Sequence, residues 1–277
     1  MSGSGGAVER PAWAPRDIDL ERPSVARVYD YWLGGAHNFA ADREVAKKAL
    51  DVMPELRDIV LNHRAFLRRA VRNLLDLGIR QFLDLGSGIP TAGNVHEIAQ
   101  SVDPSCKIVY VDIDPVAVAH SRSLLADNDR AAVVQTDVRD PKVVLNDPQT
   151  RDMFDFDEPV AVLMIALLHF VPEEDDPKAI LAEYRDALAP GSYLALSHAA
   201  YEEGEETESG RQVRSLYNSS VAPMTYRNRE EVAALFDGFE LIEPGVVRLP
   251  LWRPESPDDL DDQSRRLPAL AAVGRKP

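Results

Sequence analysis

The chain has 277 residues, of which 45% are hydrophobic, so it is long enough to bury a sizeable core. Its 46 acidic residues outnumber 31 basic ones, and the formal charge of −15 disfavours nucleic acid as a partner. With one cysteine no intrachain disulfide forms, and no apolar run approaches the ~20 residues of a membrane helix. Residues 1–6 lack the apolar core of a secretory signal, so we expect a cytoplasmic protein that does not bind membranes.

The first 77 residues predict a tail followed by helices. Residues 1–15 are rich in Gly, Ser, Ala and Pro and are expected to form a flexible tail. Apolar residues at helical spacing within 16–77 predict three helices, the first ending at Gly34 and the last stopped by Gly78. These helices either cap a ligand cleft or pack elsewhere to complete the core.

From residue 78 to residue 277 strands alternate with helices. The predicted strands are 81–85, 107–113, 131–136, 160–168, 192–197, 239–251 and 267–273. The predicted helices are 91–101, 115–126, 177–188 and 229–236. This alternation predicts parallel strands joined by right-handed crossovers in one α/β core of Rossmann type. Residues 201–228 form a predicted lid-like insertion, which begins with an exposed acidic loop at 201–210.

A glycine turn follows the first predicted strand as Asp84-x-Gly86-x-Gly88. Glycines let the backbone approach a ligand closely, and the next helix offers unpaired N–H groups. Thr91 stands where a dinucleotide fold has its third glycine. An acid at position 84 can hold the positive end of a cofactor that carries an amino acid, which favours adenosylmethionine. A plain strand-to-helix turn is the alternative interpretation.

Two further acids end the second and third strands. Asp112 stands where an acid holds a ribose, and its alternative role as a helix cap is better filled by Asp114. Asp137 can accept a hydrogen bond from an adenine amino group while Val138 offers its backbone N–H, or Asp137 is simply a turn aspartate. These positions are at the carboxyl ends of predicted parallel strands, where ligands bind in open α/β sheets.

These residues resemble the first three motifs of class I methyltransferases. Longer strings resemble an actinobacterial family of S-adenosylmethionine methyltransferases once classed as a domain of unknown function (DUF574); they are 26–35, 38–43, 64–70, 90–97 and 274–277. The resemblance covers almost the whole chain after the tail. It implies a mostly parallel seven-stranded sheet flanked by helices, an N-terminal helical cap and S-adenosylmethionine as cofactor. Pro90 replaces the usual third glycine of the methyltransferase motif, so contacts to the methionine tail differ from those of other class I enzymes.

The motifs and the resemblance together predict a cofactor site spread over the helical cap, the glycine turn and four strand ends. Its members are Tyr29, Gly34, Asn38, Arg64, Asp84, Gly86, Ser87, Gly88, Thr91, Asn94, Asp112, Ile113, Asp137, Val138, Ile165 and Ala166. Arg64 is expected to pair with the cofactor carboxylate, since a guanidinium binds a carboxylate bidentately. Its alternative is a surface charge on a long helix.

The methyl acceptor is expected beside the fourth and fifth strand ends. His169 is the candidate catalytic residue, either orienting the acceptor or taking its proton, and its alternative is a hydrogen bond to a loop carbonyl. Many methyl transfers need only alignment, so a base is not required. His198, Tyr201, Asn218 and Tyr226 are candidate pocket residues or ordinary loop residues. The histidine spacing predicts no metal site.

The sequence therefore predicts an S-adenosylmethionine-dependent methyltransferase that acts on O, N or C of a small molecule. One alternative is a non-catalytic regulatory protein that binds the same cofactor, because no catalytic base is assured. The other is an NAD-dependent oxidoreductase, which the missing third glycine disfavours.

Overall fold

The computed structural model of the protein describes residues 11, 14–15, 18–91, 93–256, 260, 262 and 264–277. The predicted tail, 1–15, falls outside the described residues except for Pro11, Ala14 and Pro15. Among the described residues, none of the helices has the length and apolar content needed to span a bilayer.

Helices and strands alternate along the described chain after three initial helices. In chain order they are α1 (Val25–Trp32), α2 (Ala40–Val52), α3 (Leu56–Asp76), β1 (Gln81–Leu85), α4 (Val95–Val102), β2 (Lys107–Asp112), α5 (Pro115–Leu124), β3 (Ala131–Gln135), α6 (Pro141–Asn146), α7 (Pro148–Met153), β4 (Ala161–Ile165), α8 (Pro177–Ala187), β5 (Tyr193–Ala199), α9 (Glu208–Ser220), α10 (Arg229–Ala234), β6 (Glu240–Leu241), β7 (Val247–Arg248) and β8 (Ala269–Arg275). Short 3₁₀ helices cover Leu168–Phe170, Glu173–Asp175, Leu249–Leu251 and Ser264–Arg266.

The strands form one mostly parallel sheet with the order β3-β2-β1-β4-β5-β8-β6, and β7 also pairs with β8. Strands β1 to β5 are parallel, while β8 runs antiparallel to β5. The predicted α/β fold is confirmed. Within the described residues the sheet has eight strands, near the expected seven, because the predicted strand 239–251 is divided into β6 and β7. Gly245 lies between them with φ +76° and makes a turn that ends the first piece.

Other boundaries differ from the sequence prediction for local reasons. Helix α4 starts at Val95 instead of 91, because Asn94 and Glu97 form a capping box there. Strand β4 ends at Ile165 instead of 168, because Ala166 has φ +55° and turns the chain. Helix α9 occupies much of the insertion predicted as a lid, and α6 and α7 have no predicted counterpart.

The helices predicted as an N-terminal cap share a hydrophobic core with the sheet. Along α3, Phe66, Ala70 and Leu74 are fully buried, and they belong to one cluster with Phe82 of β1 and Ile108 of β2. The opposite face of the sheet packs on α8 and α10 through a second cluster. Both faces of the central strands are therefore covered, which explains why these strands are almost continuously apolar. The packing also fixes the start of α3 near the carboxyl ends of β4 and β5.

Candidate active site

The glycine turn after β1 folds against the end of β2. The backbone amides of Gly86 and Ser87 donate to the carbonyl of Val111 at 2.8 and 3.1 Å. Gly86 and Gly88 have φ of +69° and +68°, a backbone region that L-residues rarely adopt. A β-carbon at position 86 would lie 2.6 Å from the Leu167 side chain, so this turn needs glycine for space as well as for conformation.

Asp84, near the end of β1, is almost buried, and its carboxylate accepts no hydrogen bond from the described residues. The residue is 7% exposed. Burial raises the pKa of Asp84 to about 7, while Arg64 lowers it and the nearby Asp112 raises it. The buried Ser87 hydroxyl is also without a partner within the described chain. Buried polar groups normally have partners, so these two unsatisfied groups indicate a ligand site.

We call the space beside them the polar cavity. It encloses about 290 Å³, including solvent at its mouth. Its lining residues are Arg64, Asp84, Ser87, Gly88, Pro90, Asn94, Val95, His96, Tyr110, Ser121, Leu124 and Leu125. Arg64 donates to the carbonyl of Gly93 at 2.8 Å. With a guanidinium and a carboxylate in its wall, the polar cavity suits the carboxylate and ammonium groups of an amino acid.

Asp112 joins the glycine turn to the start of α5. One carboxylate oxygen accepts from the Gly88 amide at 2.7 Å, and the other accepts from the Asp114 amide at 2.8 Å. Burial raises the pKa of Asp112 to about 6, against the hydrogen bonds that lower it. The helix is capped by Asp114, which accepts from Val116 and Ala117. Each oxygen of Asp112 retains a lone pair for a ribose hydroxyl, as the sequence predicts.

The other predicted adenine contacts differ in how they are placed. Ile113 directly follows Asp112 and is 61% exposed, so it offers an apolar surface next to the predicted ribose position. Asp137 accepts from the backbone and side chain of Arg139, which also pairs with Asp175. Burial raises the pKa of Asp137, but the Arg139 hydrogen bonds outweigh it and lower the pKa overall. Asp137 thus has the bonds of a turn aspartate, and Val138 is buried.

Of four further predicted cofactor residues, three lie in turns and one ends a strand. Asn38 donates to Asp30 at 2.8 Å and to the Gly35 carbonyl at 3.0 Å, so its amide holds the turn after α1. Gly34 ends α1 with φ +80°. The Thr91 amide donates to the Asn94 side chain at 3.1 Å, ahead of α4. Ile165 is the last residue of β4.

A second space, which we call the aromatic cavity, lies beside the ends of β4 and β5. It encloses about 610 Å³, including solvent at its mouth. Six aromatic residues line it: Tyr29, Trp32, Phe170, Tyr201, Tyr217 and Tyr226. The other lining residues are Val25, Met53, Leu56, Ile59, Val60, His63, Ala166, His169, Ala199, Val213, Met224 and Pro268. Among the described lining residues there is no Asp, Glu, Lys or Arg.

His169 lines the aromatic cavity and follows β4, as the sequence predicts. Its Nδ1 accepts from the Ala199 amide at 3.3 Å, so the proton of the neutral ring is on Nε2. Burial lowers the pKa of His169 well below its ordinary value, and nearby His198, His63 and Arg227 lower it further. A neutral ring protonated at Nε2 donates a hydrogen bond into the cavity. This arrangement favours the orienting role of His169 over that of a base.

The other predicted pocket residues divide into two groups. Tyr201 and Tyr226 line the aromatic cavity and contact each other edge to face, with ring centroids 4.9 Å apart. His198 is fully buried behind the wall, where it accepts from Arg227 at 2.8 Å and donates to the Ala199 carbonyl. Asn218 accepts from the Met224 amide at 2.6 Å and shapes the loop after α9. His198 and Asn218 do not line the cavity, because these local hydrogen bonds hold their side chains elsewhere.

His63 is a site residue that the sequence analysis does not identify. It lies on the buried face of α3, and its Nδ1 is 2.8 Å from the Ser197 hydroxyl. Burial lowers the pKa of His63 to about 3. The next residue, Arg64, lines the polar cavity, so consecutive residues of α3 serve the two cavities. The available signal was a histidine at i+4 from Ile59, within an otherwise apolar helix face.

No group of three or more His, Cys, Asp or Glu residues in the described chain is placed to hold a metal ion.

Comparison with known proteins found one family model, described as S-adenosyl methyltransferase, that matches residues 11–277. A crystal structure of a putative methyltransferase from Thermobifida fusca YX is 42% identical with a TM-score of 0.89, over 96% of this chain and 99% of that one. A DUF574 family protein from Streptomyces avermitilis MA-4680 is 39% identical with a TM-score of 0.88, over 94% of this chain and 99% of that one.

A more distant similarity concerns the fold alone. Human N-acetylserotonin methyltransferase, solved with S-adenosylmethionine, is 16% identical with a TM-score of 0.50, over 92% of this chain and 63% of that one. The comparison with curated proteins found no match.

Proposed function

Because this chain belongs to the S-adenosyl methyltransferase family, we propose that it holds S-adenosylmethionine at the polar cavity and methylates a small molecule held in the aromatic cavity. The observation that carries the proposal is the pairing of the cavities by His63 and Arg64. The two residues are adjacent on α3, so the two cavities border the same turn of that helix.

The residues of the polar cavity suit the cofactor's amino-acid end. Arg64 would pair with its carboxylate, and Asp84, which has no donor among the described residues, would accept from its ammonium. The orphaned Ser87 hydroxyl would gain a partner. Asp112 would accept from the ribose hydroxyls, and the exposed face of Ile113 would cover the adenine. The Asp137 carboxylate already accepts from Arg139. It would contact the adenine amino group only by accepting from both groups at once.

A small molecule is the acceptor that the aromatic cavity suits best. Its wall is mostly apolar with a few polar groups, which is typical of small-molecule sites. The formal charge of −15 argues against a nucleic-acid acceptor. The one cysteine, Cys106, is free and buried, in keeping with a reducing, cytoplasmic location.

Catalysis in this arrangement depends on alignment. When bound, S-adenosylmethionine supplies an electrophilic methyl group on a positively charged sulfur. The chain's own residues hold the two reactants in separate cavities, and Ala166 after β4 lies at the wall of the aromatic one. Proximity and orientation of this kind supply a large part of the rate acceleration in bimolecular transfers.

The proposal is tested by incubating the protein with S-adenosylmethionine and either a mixed set of small molecules or a set of proteins. We expect S-adenosylhomocysteine to form with small molecules and a methylated small molecule to appear in the mass spectrum. Replacing Asp112 by Asn removes the charged ribose acceptor and should slow turnover at low cofactor concentration. Product formation with proteins alone would contradict the small-molecule assignment.

A further inference from the structure

The geometry of the aromatic cavity points to one class of acceptor: an uncharged, planar aromatic molecule whose oxygen accepts hydrogen bonds from His63 and His169. This inference rests on the proposed function and deepens it, because it specifies what the aromatic cavity recognises. Three independent features of the cavity carry it, namely the absence of charge, the orientation of the two histidines and the arrangement of the aromatic rings.

The lack of charged side chains excludes a charged acceptor. Among the described residues lining the cavity there is no basic group to pair with an anion and no acidic group to pair with a cation. A charge moved from water into such a space without a partner carries a large desolvation penalty. Aromatic faces attract cations, but the two neutral histidine rings that line the same space offer N–H donors, whose positive ends oppose this attraction.

His63 is held with its Nε2 protonated by a short relay. The Ala166 amide donates to the Ser197 hydroxyl oxygen at 3.0 Å, which leaves the hydroxyl proton in need of an acceptor. Within the described chain, His63 Nδ1, at 2.8 Å, is the acceptor available to the Ser197 hydroxyl proton. Nδ1 of His63 then carries no proton, and the ring proton is on Nε2. Burial keeps this ring neutral by lowering its pKa to about 3.

His169 reaches the same protonation state by a different contact. Its Nδ1 accepts from the Ala199 amide, which leaves the proton on Nε2. Neither Nε2 is bonded to any described residue, and both rings line the aromatic cavity. The cavity therefore presents two neutral N–H donors in an otherwise apolar wall. Buried donors need acceptors, and a ligand hydroxyl or carbonyl oxygen has two lone pairs to offer them.

The rings around the cavity favour a flat ligand. Phe170 and Tyr217 are stacked with centroids 5.6 Å apart and an angle of 24° between their planes. Trp32 lies 6.1 Å from Tyr217 on the side of α1. Aromatic rings interact best with other rings in offset-stacked or edge-to-face geometry. A planar ring system packed against these rings would bury a face on them while its oxygen meets the histidines.

The inference is tested by calorimetry on the full chain saturated with S-adenosylhomocysteine. The probes are matched one-, two- and three-ring aromatic compounds, each as the neutral alcohol, the carboxylate and the methylammonium, such as 2-naphthol with its two charged counterparts. At the ring size that fits, we expect the neutral alcohol to bind at least about tenfold more tightly than either charged form, because the charges lose their hydration.

Two variants test the histidine donors. His63→Phe and His169→Phe keep a ring but remove the N–H, and each should weaken alcohol binding about fivefold, in proportion to one neutral hydrogen bond. His37→Phe, outside both cavities, is the control and should bind as wild type. S-adenosylhomocysteine affinity is measured in every variant to show that the fold is intact. If one variant fails to fold, the other still decides the question.

Three results would overturn the inference: a charged probe that binds as tightly as the alcohol at every ring size, no binding of the alcohol at any size, or unchanged alcohol binding in the histidine variants. These failures are distinct from failure of the proposed function. If S-adenosylhomocysteine itself does not bind, the cofactor site is wrong. If it binds and a charged small molecule is methylated, only the acceptor class is wrong.

Discussion

The polar cavity and the aromatic cavity are neighbours of opposite chemistry. The polar cavity is lined by the buried Asp84 carboxylate, the unpartnered Ser87 hydroxyl and the Arg64 guanidinium. The aromatic cavity is lined by rings and two neutral histidines. His63 and Arg64, adjacent on α3, supply one side chain to each.

This difference shows how one helix can separate two binding tasks. A charged cofactor end needs fixed charges, and keeping them buried without a ligand is costly. An uncharged acceptor needs apolar contact area, which also stabilises the fold. We therefore expect the buried charges of the polar cavity to lower the stability of the ligand-free protein. The apolar wall of the aromatic cavity should not lower it. Changing residues that belong to only one cavity tests this separation.

The largest expected effect comes from Asp84→Asn. The folded protein holds the pKa of Asp84 at about 7, against an ordinary value of 3.8. The unfolded chain therefore releases this proton first, and stability falls as pH rises from about 4 to 7. At pH 8 the ligand-free variant should be more stable by up to about 4 kcal/mol, since one pKa unit corresponds to about 1.4 kcal/mol. Urea unfolding at pH 8 measures this.

The same variant should bind S-adenosylhomocysteine at least about tenfold more weakly, because a charge-assisted hydrogen bond is lost. A variant that gains stability but keeps its affinity would place the cofactor's ammonium elsewhere. A variant that gains no stability would show that Asp84 is partnered or solvated in the free protein.

The second effect comes from a substitution that should weaken binding in both cavities. Gly86→Ala forces a β-carbon against Leu167, which belongs to the loop between β4 and His169, and it also strains a positive φ. Gly88→Ala has nearly the same φ but no atom within 4 Å of the added carbon. Both should lose about 1–2 kcal/mol from backbone strain.

Gly86→Ala should lose roughly a further 1–3 kcal/mol from overpacking. Of the two variants, only this one should weaken binding in both cavities, as measured by thermal unfolding and by titration of 2-naphthol. Equal losses in both glycine variants would mean that Leu167 moves aside at little cost.

The third effect comes from removing the Arg64 guanidinium, which lines the polar cavity only. Arg64→Gln should weaken S-adenosylhomocysteine binding by about tenfold, the order expected for a charge-assisted pair. Arg68→Gln is its matched control on the same helix, because Arg68 is exposed and pairs with Glu255 outside the polar cavity. Binding of 2-naphthol should not change in either variant. If Arg64→Gln binds S-adenosylhomocysteine as tightly as Arg68→Gln does, Arg64 is only a surface charge.

The smallest effect is a pH dependence confined to the polar cavity. Asp84 accepts from an ammonium only when ionised, and its pKa in the free protein is about 7. S-adenosylhomocysteine affinity should therefore rise from pH 6 to pH 7 by less than about tenfold and level off above pH 8. Asp84→Asn should remove most of this slope, leaving the part due to Asp112. A slope unchanged in that variant would assign the titration to another group.

Local signals predicted most of the elements that build the polar cavity. The glycine spacing after β1 and the acids that end β1 and β2 are short patterns whose conformation depends on neighbouring residues. The six-residue helices α6 and α7 had such signals too, Asp140-Pro141 and Asp147-Pro148, but were too short for a periodic pattern. The strand expected at 239–251 was wrong in extent, because apolar residues on both sides of Gly245 concealed a turn.

The sequence by itself determined the α/β order of this protein, its cofactor motif and its family, because these depend on residues close together in the chain. Tertiary structure alone decided which side chains line the aromatic cavity. It brings α1, α3, α9 and the ends of β4 and β5 together, turns His63 inward and buries His198 behind Arg227. The physical reason is that side-chain direction and protonation depend on packing and hydrogen bonds between segments more than a hundred residues apart, as between His63 and Ser197.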